Sequence, residues 1–394
     1  MPRVTNIRDA DLVILYTNIG RGHPTYLDGM VEILSDTYPA LSFFQTDVFA
    51  VSRGLSLSCW RLARTLYRIG GKGGAVTGMY GRFRRITGGG EGGVLHRLLG
   101  RDIVRLLASF SGPVLVAHPI LARLLAGQNR VIYQHGELAA PDESLVTRCE
   151  KTLVPLESTA VAFQSAGVEP SRLAVTGQCI EPLLINPAGR AFDERIARLS
   201  SDKPLTVALF SSGAYPTDHV RLLRRAAGSL YAAGHTVIFF AGQSTAVADD
   251  FGRWLNRRGI DSVRTLDGDS RMKILVTSGR QEENRLTAAV FGRLDIFLAP
   301  AHERTNWAVG LGLPQFILTP HIGSFAPLNA AIALERGVAV EITDDRTADA
   351  IGEWIGSLRR DGKLAAMACD GFGGTSITGF AAAAKVLADI TMQE

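Results

Sequence analysis

Residues 295–329 read DIFLAPAHERTNWAVGLGLPQFILTPHIGSFAPLN, and this stretch decides the fold that we predict. Its apolar run at 296–299 predicts a buried strand, residues 305–311 predict a short helix, and residues 315–318 predict a second strand. Such apolar strands are typical of a parallel sheet covered on both faces. Ligands bind outside the carboxyl ends of these strands, so the loops at 301–306 and 321–327 are the first candidates for ligand contact. The alternative is that the proline and glycine residues here only end the strands and helices of a hydrophobic core.

The same alternation extends along the whole chain. Strands are predicted at 12–17, 41–48, 114–117, 130–134, 151–154 and 173–175, and a second series begins at 205–210 and 236–241. A chain of 394 residues also exceeds what one core usually supports. We therefore predict an N-terminal domain at 1–185 and a C-terminal domain at 186–394, whose last helix closes the second domain or crosses back to the first.

Composition excludes several classes of protein. A content of 46% hydrophobic and 20% charged residues is that of a globular chain and not of a disordered one. No signal pattern is apparent and no apolar run approaches the roughly 20 residues that span a bilayer, which predicts a cytoplasmic protein. The four cysteines are far apart and form no CxxC pair, so neither a zinc site nor a disulfide framework is expected.

Positive charge is concentrated in residues 53–105. This basic segment holds eleven Lys or Arg against two acidic residues, a net of +9 in a chain whose total is +4. Apolar and aromatic residues are interleaved with the arginines, as in a helix that lies on an anionic membrane surface. A solvated helix packed on its own domain is one alternative and nucleic acid is another, but no base-reading motif appears. The residues expected at the membrane are Trp60, Arg61, Arg64, Tyr67 and Arg68.

Two glycine-containing turns follow predicted strands. The first runs from Gly20 through Gly22 to His23, and the imidazole at this helix start can act as a base. A single histidine in a loop is more often an ordinary surface residue, and a G-x-G pattern alone is weak evidence for a ligand site. The second turn, Ser211-Ser212-Gly213, can form a phosphate nest.

The order of these motifs resembles that of the family-28 glycosyltransferases. The most similar group is that of the monogalactosyldiacylglycerol synthases and processive diacylglycerol glucosyltransferases; the peptidoglycan N-acetylglucosaminyltransferase is a more distant match. The motifs that carry the resemblance are GRGH at 20–23, VAHP at 116–119, SAGV at 165–168, VTG at 175–177, SG at 212–213, GLGLP at 310–314, Gly323 and Asn329-Ala330.

The resemblance implies a GT-B fold, in which two Rossmann-like doubly wound domains face each other across a cleft. It further implies inverting transfer of a sugar from a UDP-linked donor to a lipid hydroxyl at the inner face of the cell membrane, with neither metal nor cofactor. His23 would be the catalytic base or a group oriented on the leaving diphosphate, and His118 and His135 would lie on the acceptor side. The donor would contact Gly20, Gly22, Ser211, Ser212, Gly213, Gly242, Glu303, Arg304, Thr305, Asn306, Gly323, Ser324 and Asn329.

The sequence departs from the family pattern at the expected donor site. Trp307 stands where the family has a ribose-binding glutamate, and Glu303 is the candidate substitute. Residues 324–326 read Ser-Phe-Ala in place of the acidic or amide pair that touches the donor sugar, and residues 133–135 read Tyr-Gln-His in place of a Thr-Asp. These departures leave open a non-catalytic binding or scaffold protein, and an epimerase or hydrolase that acts on nucleotide-sugars.

Overall fold

The computed structural model describes residues 3–20, 22–72 and 94–392. Arg21, the basic residues Arg82, Arg84 and Arg85, and the glycine-rich residues 88–93 of the basic segment lie outside the described residues. The chain divides into two units, and the boundary falls between Pro182 and Leu183. The first unit holds residues 3–70, 94–182 and 376–392, and the second holds residues 71–72 and 183–375.

The first unit is built on a six-stranded parallel sheet in the order β2-β1-β3-β4-β5-β6. Its four central strands are short and largely buried because helices cover both faces, whereas the two edge strands are partly exposed. In the register of the first pair, Leu12 lies opposite Phe43 and Tyr16 opposite Asp47. The strands are β1 (Leu12–Tyr16), β2 (Phe43–Asp47), β3 (Pro113–Val116), β4 (Arg130–Gln134), β5 (Lys151–Val154) and β6 (Leu173–Val175).

Helices of the first unit include the C-terminal one. Gly379–Met392 packs on Gly22–Thr37, where a side chain at Gly29 would collide with the Phe380 ring. The described helices are Gly22–Thr37, Val48–Val51, Gly54–Gly70, Val94–Leu107, Pro119–Leu125, Glu157–Ser165 and Gly379–Met392, with 3-10 turns at Ile7–Asp9, Asp142–Ser144 and Pro170–Arg172; Pro182–Ile185 spans the boundary between the units.

The second unit also has a six-stranded parallel sheet, in the order β12-β11-β10-β7-β8-β9. Its helices are Ala188–Leu199, Thr217–Ala232, Thr245–Asn256, Arg280–Phe291, Thr305–Leu311, Phe325–Glu335, Asp345–Asp349, Ile351–Arg360 and Lys363–Asp370. Its strands are β7 (Thr206–Phe210), β8 (Thr236–Phe240), β9 (Met272–Leu275), β10 (Ile296–Ala299), β11 (Gln315–Leu318) and β12 (Ala339–Ile342).

The stretch at 295–329 folds as predicted, with strands Ile296–Ala299 and Gln315–Leu318 flanking the helix Thr305–Leu311. Gly312 ends this helix in the left-handed conformation, at φ 60°. A Cβ at this position would lie 2.5 Å from the Ala368 carbonyl oxygen, so only glycine fits. The prediction of two Rossmann-like doubly wound domains is confirmed.

Candidate functional sites

The strand order of the first unit locates its ligand edge. The strand order reverses between β1 and β3: β2 lies beside β1 on one side of this break, and β4, β5 and β6 lie beyond β3 on the other. Ligands of open α/β sheets bind at the carboxyl ends of the strands on either side of such a break. His23 lies in the first turn of the helix after β1, and His118 caps the helix after β3. Their ring centroids are 4.6 Å apart. Two partly exposed imidazoles therefore meet at this edge.

Hydrogen bonding fixes the orientation of the His118 ring. Its Nδ1 accepts a hydrogen bond from the Ile120 backbone N–H at 3.2 Å. Because Nδ1 supplies the lone pair, the proton of the neutral ring is carried by Nε2. His118 therefore carries an N–H donor on a ring that packs against His23.

The glycine turn before His23 is held by the neighbouring strand. The Asp47 carboxylate accepts from the Asn18 backbone at 3.0 Å and from the Asn18 side chain at 2.8 Å. Gly20 has φ 76°, and a Cβ there would lie 2.6 Å from the Tyr67 hydroxyl oxygen. Gly20 is thus required by the turn and by the close approach of Tyr67. Gly20 and Gly22 belong to the first unit, whereas the other predicted donor-binding residues belong to the second.

His135 is buried in the first unit, which corrects the expectation that it lies on an acceptor or membrane face. The residue is 2% exposed, and its Nε2 lies 3.1 Å from the Ala139 carbonyl oxygen. Its Nδ1 lies 3.3 Å from the Tyr133 hydroxyl. Burial lowers the pKa of His135 to about 4, so the ring is neutral at physiological pH and acts within the core.

The helix Gly54–Gly70, which we call the basic helix, has a buried face. Trp60 is fully buried, and its Nε1 donates to the Leu99 carbonyl at 3.1 Å. The Arg64 guanidinium lies 4.3 Å from the centroid of the Phe49 ring. Trp60 therefore belongs to the core of the first unit, which corrects its assignment to the membrane face.

The opposite face of the basic helix is exposed and apolar. Leu55, Leu62 and Ile69 are 67%, 54% and 42% exposed, and they recur every seven residues, which brings them to one side of the helix. Arg61 and Arg68 are exposed beside them. We call these five residues the exposed stripe. Among the described residues, no helix is long and apolar enough to cross a membrane.

In the second unit, β7 and β10 are neighbours. The strands that follow β7 lie on one side of this pair, and the strands that follow β10 lie on the other. This is the strand order of dinucleotide-binding sheets, whose ligands occupy the carboxyl edge at that break. The turn Ser211-Ser212-Gly213 follows β7 and leads to the helix Thr217–Ala232. A Cβ built on Gly213 would meet nothing within 4 Å, so this turn borders open space.

A tyrosine supports the same edge. Tyr215, at φ 49°, donates from its hydroxyl to the Ala241 carbonyl oxygen at 2.8 Å. Gly242, at φ 53°, is required here because a Cβ would lie 2.7 Å from the Tyr215 hydroxyl. The predicted residue Gly242 therefore shapes the edge through its backbone.

A buried ion pair lies across the carboxyl ends of these strands. Arg304 donates to the Glu283 carboxylate, and both side chains are 7% exposed. The Arg304 guanidinium is stacked 4.1 Å from the centroid of the Phe210 ring, and a nitrogen of it is 3.6 Å from a Glu303 oxygen. Sequence reasoning missed Glu283. The signal that could have found it is an acidic residue in the first turn of the helix after β9.

Trp307 is a core residue and not a ligand contact. It is 2% exposed, and its ring centroid lies 5.6 to 5.7 Å from those of Phe210, Phe291 and Phe297. The position that the family pattern assigns to glutamate therefore carries a core side chain in this protein. The nearby carboxylates are those of Glu283 and Glu303, which both contact Arg304.

Some of the remaining predicted donor-binding residues are buried, and others are half-buried. Thr305 and Asn306 are buried in the first turn of their helix, and the Asn329 amide donates to the Ala301 carbonyl at 3.2 Å. Gly323, at φ 87°, and Ser324 are half-buried at the edge after β11. Asn329 therefore holds the loop after β10, a positioning contact.

Unsatisfied hydroxyls accumulate at this edge. Within the described part of the chain, the buried hydroxyls of Ser211, Thr277 and Thr305 have no hydrogen-bond partner. These residues follow β7, β9 and β10. Buried polar atoms normally find partners, so this grouping suits a polar ligand.

A histidine that the sequence analysis did not single out is buried nearby. His219 lies in the first turn of the helix Thr217–Ala232, with its Nε2 2.9 Å from the Pro320 carbonyl oxygen. Burial lowers its pKa to about 4. The described residues contain no group of three or more His, Cys, Asp or Glu side chains that could hold a metal ion.

No protein-family model matches the sequence, and no curated protein matches it either. Solved structures match its fold. UDP-GlcNAc 2-epimerase from Neisseria meningitidis, bound to UDP-GlcNAc, matches with a TM-score of 0.57 and 11% identity over 97% of this chain and 100% of that chain.

Two further structures match to a similar extent. UDP-GlcNAc 2-epimerase from Methanocaldococcus jannaschii, in complex with UDP-GlcNAc and UDP, gives a TM-score of 0.53 and 11% identity over 96% of this chain and 99% of that one. Medicago truncatula UGT71G1, complexed with UDP-glucose, gives a TM-score of 0.54 and 10% identity over 98% of this chain and 99% of that chain. With two parallel six-stranded units that match these structures over nearly the full chain, the protein has the GT-B fold.

Proposed function

We propose that the protein is a nucleotide-sugar enzyme that transfers a sugar, with inversion, from a UDP-linked donor to an acceptor hydroxyl. The observation that carries the proposal is the His23–His118 pair at the ligand edge of the first unit. Proton abstraction from a hydroxyl needs a positioned base, and imidazole is the side chain most often used. Partly exposed rings at such an edge remain accessible to substrate.

In the proposed reaction, His23 takes the proton of the acceptor hydroxyl. The acceptor oxygen attacks the anomeric carbon, and the bond from that carbon to the diphosphate oxygen breaks with its electron pair leaving on the diphosphate. Attack opposite the leaving group inverts the anomeric centre. The N–H groups that begin the helix Thr217–Ala232, together with the turn at 211–213, would stabilise the diphosphate without a metal or cofactor.

The choice of a UDP-linked donor is supported by fold analogy. The three matching structures described above are complexes with UDP-sugars. The Rossmann strand order and the unsatisfied hydroxyls of the second unit suit a ligand of that kind. The finer assignment, to the lipid-directed family-28 group, is supported by the motif order at 20–23, 116–119 and 310–314.

We further propose a lipid acceptor and peripheral attachment to the cytoplasmic face of the membrane. Three exposed aliphatic residues flanked by Arg61 and Arg68 give the exposed stripe both apolar bulk and positive charge. Apolar side chains can enter the headgroup boundary while arginines meet anionic lipids. The exposed stripe supports this proposal better than the five residues expected from sequence, since Trp60 is buried.

A second candidate is an epimerase that acts on the nucleotide-sugar alone. Two of the matching structures are UDP-GlcNAc 2-epimerases. Glu283 and Glu303 also flank Arg304, an acidic pair that the sequence did not predict to lie together. An epimerase would need no acceptor, so the two candidates differ in their products.

The first test is a thermal-shift screen of the full chain against UDP, GDP, TDP, CDP, ADP and their sugars. A ligand at a hundredfold excess over its Kd adds about 2.7 kcal/mol, which raises the Tm of a unit of this size by about 5 °C or more. We expect the shift with UDP. No shift with any nucleotide would contradict the proposal and favour a non-catalytic binding protein.

Product analysis then separates the two enzymes. UDP-GlcNAc and UDP-glucose are incubated with the protein, with and without anionic vesicles that contain diacylglycerol. Release of UDP only in the presence of acceptor supports transfer. Formation of the C2 epimer of UDP-GlcNAc without acceptor would contradict sugar transfer and support epimerisation as the activity.

A further inference from the structure

A surface pocket of the second unit takes no part in the proposed reaction. It lies between the helices Thr217–Ala232 and Thr245–Asn256, beside the end of the helix Asp345–Asp349. Its volume is about 490 Å³, within the range of pockets that hold small organic molecules. We call it the indole pocket, and it is lined by Arg225, Gly228, Ser229, Trp254, Arg258 and Asp349.

The indole pocket lies away from the proposed nucleotide site. The helix Thr245–Asn256 follows β8 and returns along the sheet towards the amino end of β9, which is parallel to β8. Trp254 lies in the last turn of this helix and Arg258 just beyond it, so both are on the side of the amino ends of the strands. The proposed nucleotide site is at the carboxyl ends. A ligand in the indole pocket therefore leaves the nucleotide site free.

Arg258 gives the pocket a cation without a carboxylate partner. Its guanidinium lies 3.6 Å from the centroid of the Trp254 ring and donates to the Trp254 carbonyl oxygen at 3.4 Å. Within the described ranges 3–20, 22–72 and 94–392, no acidic side chain forms an ion pair with it. Stacking on an indole holds the guanidinium plane in place and leaves N–H groups at its edge for an anion.

The other charges of the pocket compensate one another. Arg225 donates to the Asp349 carboxylate, and one of its nitrogens lies 3.7 Å from an Asp345 oxygen. Among the lining residues, the remaining positive charge is that of Arg258. The helix ends at Asn256 and Asp349 add partial negative charge. The pocket thus suits a ligand with a single negative charge, whereas Asp349 would repel a doubly charged phosphate.

The rest of the pocket suits an apolar body. The half-buried Trp254 ring and Ile260 line it. A Cβ built on Gly228 would lie 3.5 Å from the Trp254 ring, an ordinary contact, so packing does not require glycine at this helical position. Glycine is unfavourable within a helix, and a longer side chain here would extend into the pocket. Ser229 Oγ accepts from the Gly352 N–H at 3.1 Å, which leaves the hydroxyl proton for a ligand.

We propose that the indole pocket binds a small organic monocarboxylate. Arg258 holds the carboxylate, Ser229 offers a further donor, and the apolar body of the ligand rests against Trp254 and Ile260. Hydrogen bonds between a guanidinium and a carboxylate are charge-assisted, so they select the acid over a neutral amide of the same shape. This inference does not depend on the proposed nucleotide chemistry.

Calorimetry on the full chain tests the proposal with three probes of similar shape: benzoate, its neutral amide benzamide, and doubly charged phenyl phosphate. Benzoate should bind with a Kd of about 1 mM or lower, and at least about tenfold more tightly than benzamide. Phenyl phosphate should bind no more tightly than benzoate. Absence of saturable benzoate binding, or equal binding of benzamide, would overturn the proposal. Tighter binding of phenyl phosphate would overturn the choice of a monocarboxylate.

Two substitutions locate the site. Gly228→Leu places a side chain in the pocket and replaces glycine by a good helix former, so benzoate binding should weaken at least about tenfold while Tm is kept or raised. Arg258→Gln removes the unpaired charge, and the preference for benzoate over benzamide should fall to less than about threefold. Unchanged benzoate binding in both variants would overturn the assignment to this pocket.

The neighbouring arginine is a matched control. Arg257 is exposed and outside the pocket lining, and its Nε donates to the Arg253 carbonyl oxygen at 3.3 Å. Arg257→Gln removes the same charge as Arg258→Gln, so benzoate binding should be unchanged. Equal losses in the two variants would indicate an effect of net charge and overturn the role of Arg258. The three probes on unmodified protein test the ligand class even when a variant fails to fold.

Discussion

Histidines occupy two kinds of environment in this protein. His23 and His118 are partly exposed at the edge of the first sheet, with their rings 4.6 Å apart. His135 and His219 are buried, and burial lowers the pKa of each to about 4. The sequence predicted a ligand-facing role for His135 as well as for His118. Only burial, which depends on the folded core, separates the two.

His23→Ala is the residue-scale prediction. If His23 is the base, sugar transfer from the donor found in the screen should fall by about 10²–10⁴-fold, since this is the usual contribution of a general base. The nucleotide-induced rise in Tm should remain, because the proposed diphosphate site is in the second unit. Initial rates and thermal shifts measured on the same preparations check both. Normal turnover by the variant would remove His23 from the mechanism.

The basic helix has two faces of different character. Trp60 anchors it to the core, with its indole donating to the Leu99 carbonyl. The exposed stripe covers the opposite face. A substitution on one face should therefore affect stability, and one on the other face should affect surface binding.

Changes on the exposed stripe should weaken binding to anionic vesicles. Each arginine near an anionic surface contributes about 1 kcal/mol, so replacing both Arg61 and Arg68 by alanine should reduce binding to phosphatidylglycerol vesicles about thirtyfold. Leu62→Glu should reduce it further by removing apolar burial. Co-sedimentation measures this effect. Val161→Glu is the control, because Val161 is 56% exposed on another helix of the same unit. Equal losses in the control and the stripe variants would contradict the assignment.

On the buried face, Trp60→Ala should destabilise the first unit by about 3–5 kcal/mol. The cause is the loss of a fully buried indole and of its hydrogen bond to Leu99. Denaturant unfolding measures the change. A variant of unchanged stability would contradict the core assignment of Trp60.

At the scale of the whole molecule, buried histidines occur in both units: His135 in the first, and His219 and His235 in the second. The pKa of His135 in the first unit and of His219 in the second is about 4 in the folded state, against about 6.5 in an unfolded chain. The unfolded chain therefore binds more protons as pH falls. The stabilisation is present above pH 6.5 and is lost as pH falls towards 4. Asp295 acts in the opposite direction, since burial raises its pKa.

Both units should consequently lose stability in mild acid. At pH 5 we expect each histidine to lower the free energy of unfolding of its unit by about 2 kcal/mol relative to pH 7.5. Urea unfolding at the two pH values measures this. His135→Gln should reduce the pH dependence of the first unit. His219→Gln should reduce that of the second unit by about 2 kcal/mol, and a smaller dependence should remain because burial also lowers the pKa of His235. Unfolding midpoints that do not change with pH would contradict the prediction.

The sequence by itself indicated the type and order of most elements, although the strands Met272–Leu275 and Ala339–Ile342 were not predicted. Apolar runs such as Ile296–Ala299 and Gln315–Leu318, punctuated by proline and glycine, specify strands and turns locally, so their bounds were predictable. Gly20 and Gly242 were also identifiable, because close backbone approach demands glycine. Alternating strands and helices then restricted the chain to doubly wound parallel sheets.

Only the tertiary structure decided which polar residues share a site. Glu283 and Arg304 are 21 residues apart in sequence and meet because β9 and β10 lie on opposite sides of β7 and β8 with their carboxyl ends at the same edge. The burial of Trp60 and Trp307 likewise depends on partners from distant segments. Local pattern fixes secondary structure because it acts through neighbouring residues. A binding site depends on long-range packing, which no local pattern encodes.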